Sequence, residues 1–276
     1  MAFLDFIIIL VATVFVLLVS MTIHEFAHNA AANWWGDPTP SQMGKLTLNP
    51  LAHITPTGWV LYLAMFILLG GFVGQWGNLI VIVLFVAMFA SRGNMSFLSL
   101  GQAAINPRMM RDPRWGMFWT TAAGPLSNFA LGFISAVLLR LFSGLFSAPF
   151  FFSPQSVVTP PDAIGLLLSL SVFYNIFLGV FNLLPFFPID GWHMMLSLLP
   201  GRFMNYKDVP EMIRTGARPV SDFLQQPAYK WQQWRQLSQM VFFALLIFSF
   251  FPGVPSILGM LINEPTSAIF RLFMGF

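Results

Sequence analysis

The sequence predicts an all-α membrane protein that crosses the bilayer several times. Hydrophobic residues make up 57% of its 276 residues and charged residues only 8%, whereas about a quarter of the residues in a soluble domain are charged. The uncharged runs between Lys45 and Arg92 and between Asp162 and Asp190 are longer than the roughly 20 apolar residues that a spanning helix needs. Because these runs lack strand-like alternation, a helical bundle is favoured over a barrel.

The first half of the chain is predicted to contain three spans and one irregular polar stretch. The first helix covers Phe3 to Trp35 and ends where glycine and proline within residues 36–38 break it. In the polar stretch that follows, residues 44–48 are predicted to form a short strand or a re-entrant segment. The apolar stretches at 58–69 and 77–91 are interpreted as two further spans, although the glycines between them also allow a hairpin or one broken helix.

The second half is predicted to contain two long helices, a polar loop and two final apolar segments. Pro185 and Pro188 end the second of these helices just before Asp190. In chain order the elements are residues 115–142 and 164–184 for the helices, 202–235 for the loop, and 237–251 and 254–273 for the apolar segments. The whole chain, 1–276, is thus predicted to be one membrane domain with about six to seven transmembrane helices.

The residues His24, Glu25, Phe26, Ala27 and His28 form the pattern H-E-x-x-H. On a helix, positions i and i+4 lie about 40° apart around the axis, so both imidazoles can reach one metal ion with the glutamate beside them. In zinc hydrolases such a glutamate is the general base. Three ionisable groups within five residues of an apolar span are costly at bilayer depth unless they are paired, bind a metal or line a water-filled cavity. The pattern therefore predicts a zinc site rather than a chance match on a polar helix face.

The zinc site needs a ligand from elsewhere in the chain. A catalytic zinc ion takes three protein ligands and leaves one position for water, and the absence of cysteine leaves histidine or a carboxylate for the third. Asp190 is the best candidate because it is the sole acidic residue between Asp162 and Asp208 and follows a predicted span. Taken alone, an aspartate followed by a glycine would be interpreted as an ordinary turn residue.

A second motif lies at Asn182 to Gly191, which reads N-L-L-P-F-F-P-I-D-G. Together with the H-E-x-x-H pattern it resembles the site-2 protease family, which joins an H-E-x-x-H helix to a later N-x-x-P-x-x-P-x-D-G segment. The segments Lys45–His53, Ala123–Asn128 and Ile105–Arg108 also look like segments of that family. The resemblance covers most of residues 20–195 and is to the compact form of the family, which has no PDZ or CBS domain.

The resemblance implies a catalytic core within residues 3–195, in which three helices hold a zinc ion. By the same resemblance, His24, His28 and Asp190 bind Zn2+, and Glu25 is the catalytic base.

Further site residues are implied only by the resemblance. Asn182 is implied to hydrogen-bond near the scissile carbonyl or its oxyanion, and a hydrogen bond between helices is the alternative. The residues implied to line the substrate cleft are His53, Asn128 and Asn49. For His53, the alternative is a loop histidine that binds no ligand.

The activity that the resemblance implies is intramembrane proteolysis. The protein would use zinc to hydrolyse peptide bonds within or near transmembrane segments of protein or peptide substrates in the lipid bilayer. Regulated intramembrane proteolysis and the clearance of signal-peptide remnants both use this chemistry. The net charge of +3 is small and spread over loops, so a nucleic-acid partner is not predicted.

The distribution of basic residues predicts the orientation. Residues 92–114 and 202–235 contain four and six Lys or Arg residues, whereas 143–161 contains none. The first two loops are therefore predicted to be cytoplasmic. The protein is expected to be a multi-pass protein of a bacterial-type inner membrane, with its active site toward the cytoplasmic side.

Two alternative functions remain open from the residues. One alternative is a membrane protein that binds a metal without proteolysis, either a degenerate protease homologue or a metal transporter. Transport predicts polar or ionisable residues on several spans near mid-membrane, and apart from the first helix and the end of the 164–184 helix the predicted spans lack them. The protein can also belong to another H-E-x-x-H membrane protease class with a glutamate as third ligand. Glu211 and Glu264 are the late glutamates, and neither lies in a suitable helical motif.

Overall fold

A computed structural model of the protein describes residues 3–53, 105–147, 159–187, 189–198, 227–249 and 256–275. Every regular element in these ranges is a helix and none is a strand, so the all-α prediction is confirmed. Two short 3-10 turns accompany the α-helices. The α-helices in chain order are α1 (Phe3–Trp34), α2 (Thr39–Gln42), α3 (Pro50–His53), α4 (Pro113–Leu141), α5 (Pro160–Asn182), α6 (Asp190–Leu198), α7 (Pro227–Phe248) and α8 (Ile257–Met274).

Among the described helices, three are long and apolar enough to cross a membrane, namely α1 from Ile8, α4, and α5 from Pro161. They coincide with three predicted helices. The stretches at 58–69 and 77–91 lie outside the described residues, so the total of six to seven spans stays a prediction. The final apolar segments correspond to α7 and α8, and α7 begins earlier than predicted, at Pro227 instead of 237.

Capping side chains set the first residues of α4 and α5. Asp112 accepts hydrogen bonds from the main-chain nitrogens of Arg114 and Trp115, so α4 begins at Pro113, where a proline costs no hydrogen bond. Thr159 and Asp162 form a capping box at the start of α5. These caps explain why both helices begin slightly before the predicted residues.

The strand predicted at residues 44–48 is wrong, because these residues form turns and bends. Gly44 has a φ of +65°, in the left-handed region, which is incompatible with a continuous strand. Two side chains make contacts within this part of the chain: the Lys45 ammonium donates to the Ala52 carbonyl, and His53 Nε2 lies 2.7 Å from the Thr47 carbonyl. The segment thus folds back on α3 and pairs with no strand among the described residues.

Helix α4 contacts both α1 and α5 extensively, and α1 and α5 also contact each other. Glycines allow its close approach to α5: Gly132 faces Asn175, and Gly179 of α5 faces the Phe129 ring. Ser135 and Ser171 also form a 2.8 Å hydrogen bond between the two helices. Small residues and hydroxyl hydrogen bonds are typical of helix packing in membranes, where the hydrophobic effect does not drive association.

The end of α1, the start of α4 and the end of α6 lie at the same end of the bundle. The Arg111 main-chain nitrogen donates to the Trp35 carbonyl at 3.0 Å, directly after α1. The Arg114 side chain donates to the carbonyls of Ser197 and Leu198 at 2.7 and 3.0 Å. Because the guanidinium satisfies the last carbonyls of α6, it holds that short helix against the start of α4.

Helix α6 was not predicted. The sequence pattern extends the preceding helix to residue 184, but α5 ends at Asn182, and a turn precedes Asp190. Within the turn, the main-chain nitrogens of Phe186 and Ile189 donate to the carbonyls of Leu184 and Phe186, each at 2.8 Å. Asp190 is therefore the first residue of its own helix and not the end of α5.

Candidate metal centre

Two imidazoles from α1 meet inside the bundle. His24 and His28 are one helical turn apart, only 3% and 4% exposed, and their Nε2 atoms are 3.0 Å apart. Their rings are perpendicular, with an interplanar angle of 89°. His24 precedes Trp34 by ten residues, about 15 Å along the axis, so the pair lies well inside the candidate span Ile8–Trp34.

Asp190 joins the two imidazoles. Its Oδ2 atom is buried and lies 3.1 Å from His24 Nε2 and 3.3 Å from His28 Nε2. Tetrahedral zinc with ligand bonds of about 2.0–2.1 Å keeps its ligand atoms about 3.3 Å apart, close to the three separations seen here. Among the described residues, these three side chains are the one group of at least three His, Cys, Asp or Glu residues that could hold a metal ion. The donor set, two imidazoles and a carboxylate, suits zinc.

Helix α4 contacts the outward-facing nitrogen of each imidazole. His28 Nδ1 lies 2.6 Å from the Thr120 carbonyl, and His24 Nδ1 lies 3.1 Å from the Asn128 side-chain amide. A carbonyl only accepts, so His28 carries its proton on Nδ1 and turns the Nε2 lone pair toward Asp190. Partners of this kind fix the tautomer and the ring orientation of metal-binding histidines.

Gly124 makes the close approach of α4 to the imidazoles possible. A Cβ atom at this position would overlap His28 Nε2 and would lie 2.6 Å from His24 Cε1. The next residue, Pro125, removes one main-chain donor from α4. The Gly-Pro pair thus brings the helix backbone against the rings, and it lies one turn from the Thr120 carbonyl.

Glu25 lies between the two histidines in sequence and is 7% exposed. Its Oε2 atom is buried without a hydrogen-bond partner among the described residues. The Asn29 side chain donates to the main-chain carbonyl of Glu25 at 2.7 Å. Buried carboxylates are costly unless they are paired or functional, so an unpartnered oxygen beside this centre indicates a chemical role.

Asp190 is the one acidic residue of α6, and its Oδ2 is the oxygen that faces the two imidazoles.

The remaining predicted site residues make local contacts. The Asn182 amide nitrogen donates to the Leu178 carbonyl at 2.9 Å, within α5, and the side chain is partly exposed. Asn49 is exposed, and its Oδ1 accepts the Leu51 main-chain N–H at 3.1 Å at the start of α3. His53 is 4% exposed and is held by the loop contact described above. Only Asn128 among the implied cleft residues contacts the cluster.

Among the described residues, no glutamate belongs to this cluster. Glu264 is exposed on α8, and Glu211 lies outside the described residues. No role is predicted from the sequence for Thr120 or Gly124. Thr120 contributes a main-chain carbonyl, which has no sequence signature. For Gly124, the signal is a Gly-Pro pair in an apolar helix, since both residues are poor helix formers.

Comparisons with known proteins identify the family of this chain. The model of peptidase family M50 matches residues 12–217. The chain is 30% identical over 187 residues to a Bacillus subtilis (strain 168) protein named "Putative zinc metalloprotease YwhC", and the similarity covers 68% of each chain. No solved structure matches significantly. The residues that the family model matches include His24, Glu25, His28 and Asp190.

Proposed function

Because this chain belongs to peptidase family M50, the site-2 protease family of zinc metallopeptidases, we propose that it hydrolyses peptide bonds within or near the transmembrane segments of membrane proteins. The depth of the cluster formed by His24, His28 and Asp190 supports the proposal most directly. The two histidines lie inside a candidate span, where a soluble peptide does not reach. A substrate must therefore expose its scissile bond at bilayer depth.

The three clustered side chains are proposed as the zinc ligands. His24 and His28 supply Nε2, and Asp190 supplies Oδ2, because these atoms converge within bonding distance of one point. Zinc bound there would polarise the scissile carbonyl and bring the pKa of the attacking water toward neutrality.

Glu25 is proposed as the group that moves protons. Its unpartnered Oε2 takes a proton from the attacking water and then delivers it to the leaving amine. The Asn182 amide nitrogen carries two protons, of which Leu178 accepts one. The other is proposed to stabilise the oxyanion. Because a helical substrate keeps its carbonyls hydrogen-bonded, the scissile segment must unwind first, so helix-breaking residues in the substrate should favour cleavage.

We assign Asn128 a different part from the cleft-lining role that the resemblance implies. With His24 bound to zinc through Nε2, its Nδ1 carries the proton and needs an acceptor. The Asn128 amide is fully buried beside it, and its Oδ1 has no other hydrogen-bond partner among the described residues. An amide can present either end in the same space, so the oxygen accepts the His24 proton and fixes the ring.

Replacing Asn128 should therefore change zinc affinity according to whether an acceptor remains. Asn128→Ala is expected to weaken zinc binding by about tenfold, whereas Asn128→Asp, which keeps an oxygen acceptor, should stay near the parent protein. Competition with a chromogenic chelator measures both, and Asn33→Ala, at an exposed asparagine of α1, is the matched control. Equal weakening in both Asn128 variants would contradict an acceptor role.

The membrane arrangement is also proposed to be that of the sequence prediction. The protein would have six to seven spans in a bacterial-type inner membrane, with the metal centre toward the cytoplasm. The bundle end that carries Trp34, Arg111 and Arg114 would be cytoplasmic. Its aromatic and basic side chains suit a membrane interface that faces the cytoplasm.

The function is tested with purified protein and a panel of single-span substrates, incubated with and without a zinc chelator. We expect cut sites inside the apolar segments of some substrates. The products should vanish on chelation and return when zinc is added. Mass spectrometry locates the cuts. Cleavage confined to soluble flanks, at the same rate with the chelator, would exclude the proposal.

A further inference from the structure

The turn that presents Asp190 is held from outside by α7, which lies beyond the residues matched to the family, 12–217. The main-chain N–H of Phe187 donates to the Ser238 hydroxyl at 3.0 Å. Ser238 is 9% exposed, so the hydrogen bond is shielded from solvent. It links the turn to a side chain 51 residues away.

Aromatic contacts strengthen this link. The Arg235 guanidinium lies over the Phe187 ring at 5.1 Å, and the His193 ring lies edge-on to the same ring at 6.0 Å. A cation over an aromatic face is attracted by the negative charge of the ring face. Phe186 in turn contacts Phe242, one turn further along α7. Two successive residues of the turn are thus fixed by one face of α7.

The turn is tight enough to transmit a shift from Phe187 to Asp190. Ile189 donates to the Phe186 carbonyl at 2.8 Å, and Trp192 donates to the Ile189 carbonyl at 3.1 Å. Gly191 passes so close to Leu183 that a Cβ would overlap its carbonyl. Asp190, two residues before Trp192, is therefore held between two fixed points of the backbone.

We propose that α7, through Ser238 and Arg235, positions the Asp190 carboxylate and thereby sets the metal affinity of the centre. Ser238 and Arg235 are positioning residues, since neither contacts the two imidazoles. The inference rests on the proposed ligand role of Asp190. It adds a C-terminal element, outside the family match, to the parts of the chain that the metal centre requires.

The experiment compares full-length variants purified in detergent. Ser238→Ala removes the hydroxyl, and Arg235→Met removes the charge while keeping an apolar stem. Ser249→Ala is the matched control, because Ser249 directly follows α7 at the end far from the turn, where its hydroxyl donates to the Leu245 carbonyl and accepts from the Ser256 hydroxyl. Asp190→Asn is the reference for loss of the ligand. Three quantities are measured: the zinc dissociation constant, the visible spectrum of the Co2+-loaded protein, and the thermal unfolding midpoint of the metal-free protein.

We expect Ser238→Ala to raise the zinc dissociation constant by about tenfold and to alter the spectrum of the Co2+-loaded protein. The thermal unfolding midpoint of metal-free Ser238→Ala should be close to that of metal-free Ser249→Ala. Arg235→Met should shift both metal readouts in the same direction by a smaller factor. A lower midpoint with unchanged metal readouts in both variants would show that α7 only stabilises the fold, which overturns the inference.

Asp190→Asn separates this inference from the proposed function. If Asp190→Asn weakens zinc binding while Ser238→Ala and Arg235→Met do not, the role of α7 is wrong and the proposed metal centre stands. If Asp190→Asn itself leaves the dissociation constant and the cobalt spectrum unchanged, the ligand assignment is wrong, and the inference fails with it.

Discussion

Replacing Glu25 with glutamine is expected to leave zinc bound and to reduce cleavage of a transmembrane substrate by roughly 100- to 10,000-fold. Glutamine has nearly the same shape as glutamate, so His24 and His28 on the same helix keep their positions. Its amide cannot take a proton from water at neutral pH. The loss corresponds to about 3–5 kcal/mol of transition-state stabilisation. Metal analysis of the purified variant and the initial cleavage rate measure the two effects separately.

The matched control for this change is Glu264→Gln. Glu264 is exposed on α8, so the same chemical change there should alter neither zinc content nor rate. Cleavage by Glu25→Gln at the parent rate would show that another group carries the proton. Loss of zinc from the variant would show that Glu25 is a ligand. The proposal that His24 and His28 bind the metal while Glu25 moves protons would then be wrong.

The part of the centre on α1 was predictable because its signal is local. His24 and His28 are separated by four positions in a strongly apolar stretch, and helical periodicity alone brings their rings to one face. The cost of placing them in a membrane span then favours a metal. Their distance to Asp190 is a tertiary property. The sequence suggested that residue through the motif of Asn182 to Gly191, and the structure brings its oxygen to 3.1 and 3.3 Å.

The features that the sequence did not predict depend on contacts between distant segments. The short helix that begins at Asp190 ends where the Arg114 side chain satisfies its last carbonyls, and no local pattern announces that partner. Residues 44–48 alternate enough to suggest a strand, but a strand needs a neighbour, and the loop instead closes through Lys45 and His53. A side chain from a distant segment sets the end of the short helix, and hydrogen bonds within the loop replace the predicted strand. In both cases these contacts outweigh local propensity.

Replacing Gly124 with alanine is expected to weaken zinc binding by about 100-fold or more. Cleavage of the substrate should fall with the loss of zinc. The added Cβ would overlap His28 Nε2 and crowd His24 Cε1, so one or both imidazoles must rotate away from Asp190. Rotation would also break the 2.6 Å contact between His28 Nδ1 and the Thr120 carbonyl. Loss of an outer partner alone typically costs 10- to 100-fold in metal affinity, and here the metal-binding atom is displaced as well.

The same substitution at Gly144 distinguishes this effect from a general effect of alanine on the helices. A Cβ at Gly144 meets nothing within 4 Å, so Gly144→Ala should bind zinc and cleave like the parent protein. Alanine is also the better helix former, by about 1 kcal/mol, so the metal-free Gly124→Ala protein should still fold if its rings can rotate. If metal-free Gly124→Ala is folded but no longer binds zinc, the substitution acts on the two imidazoles and not on the fold. Full zinc affinity in Gly124→Ala would mean that α4 does not lie against the rings, and the orienting roles given to Thr120 and Asn128 would fail together.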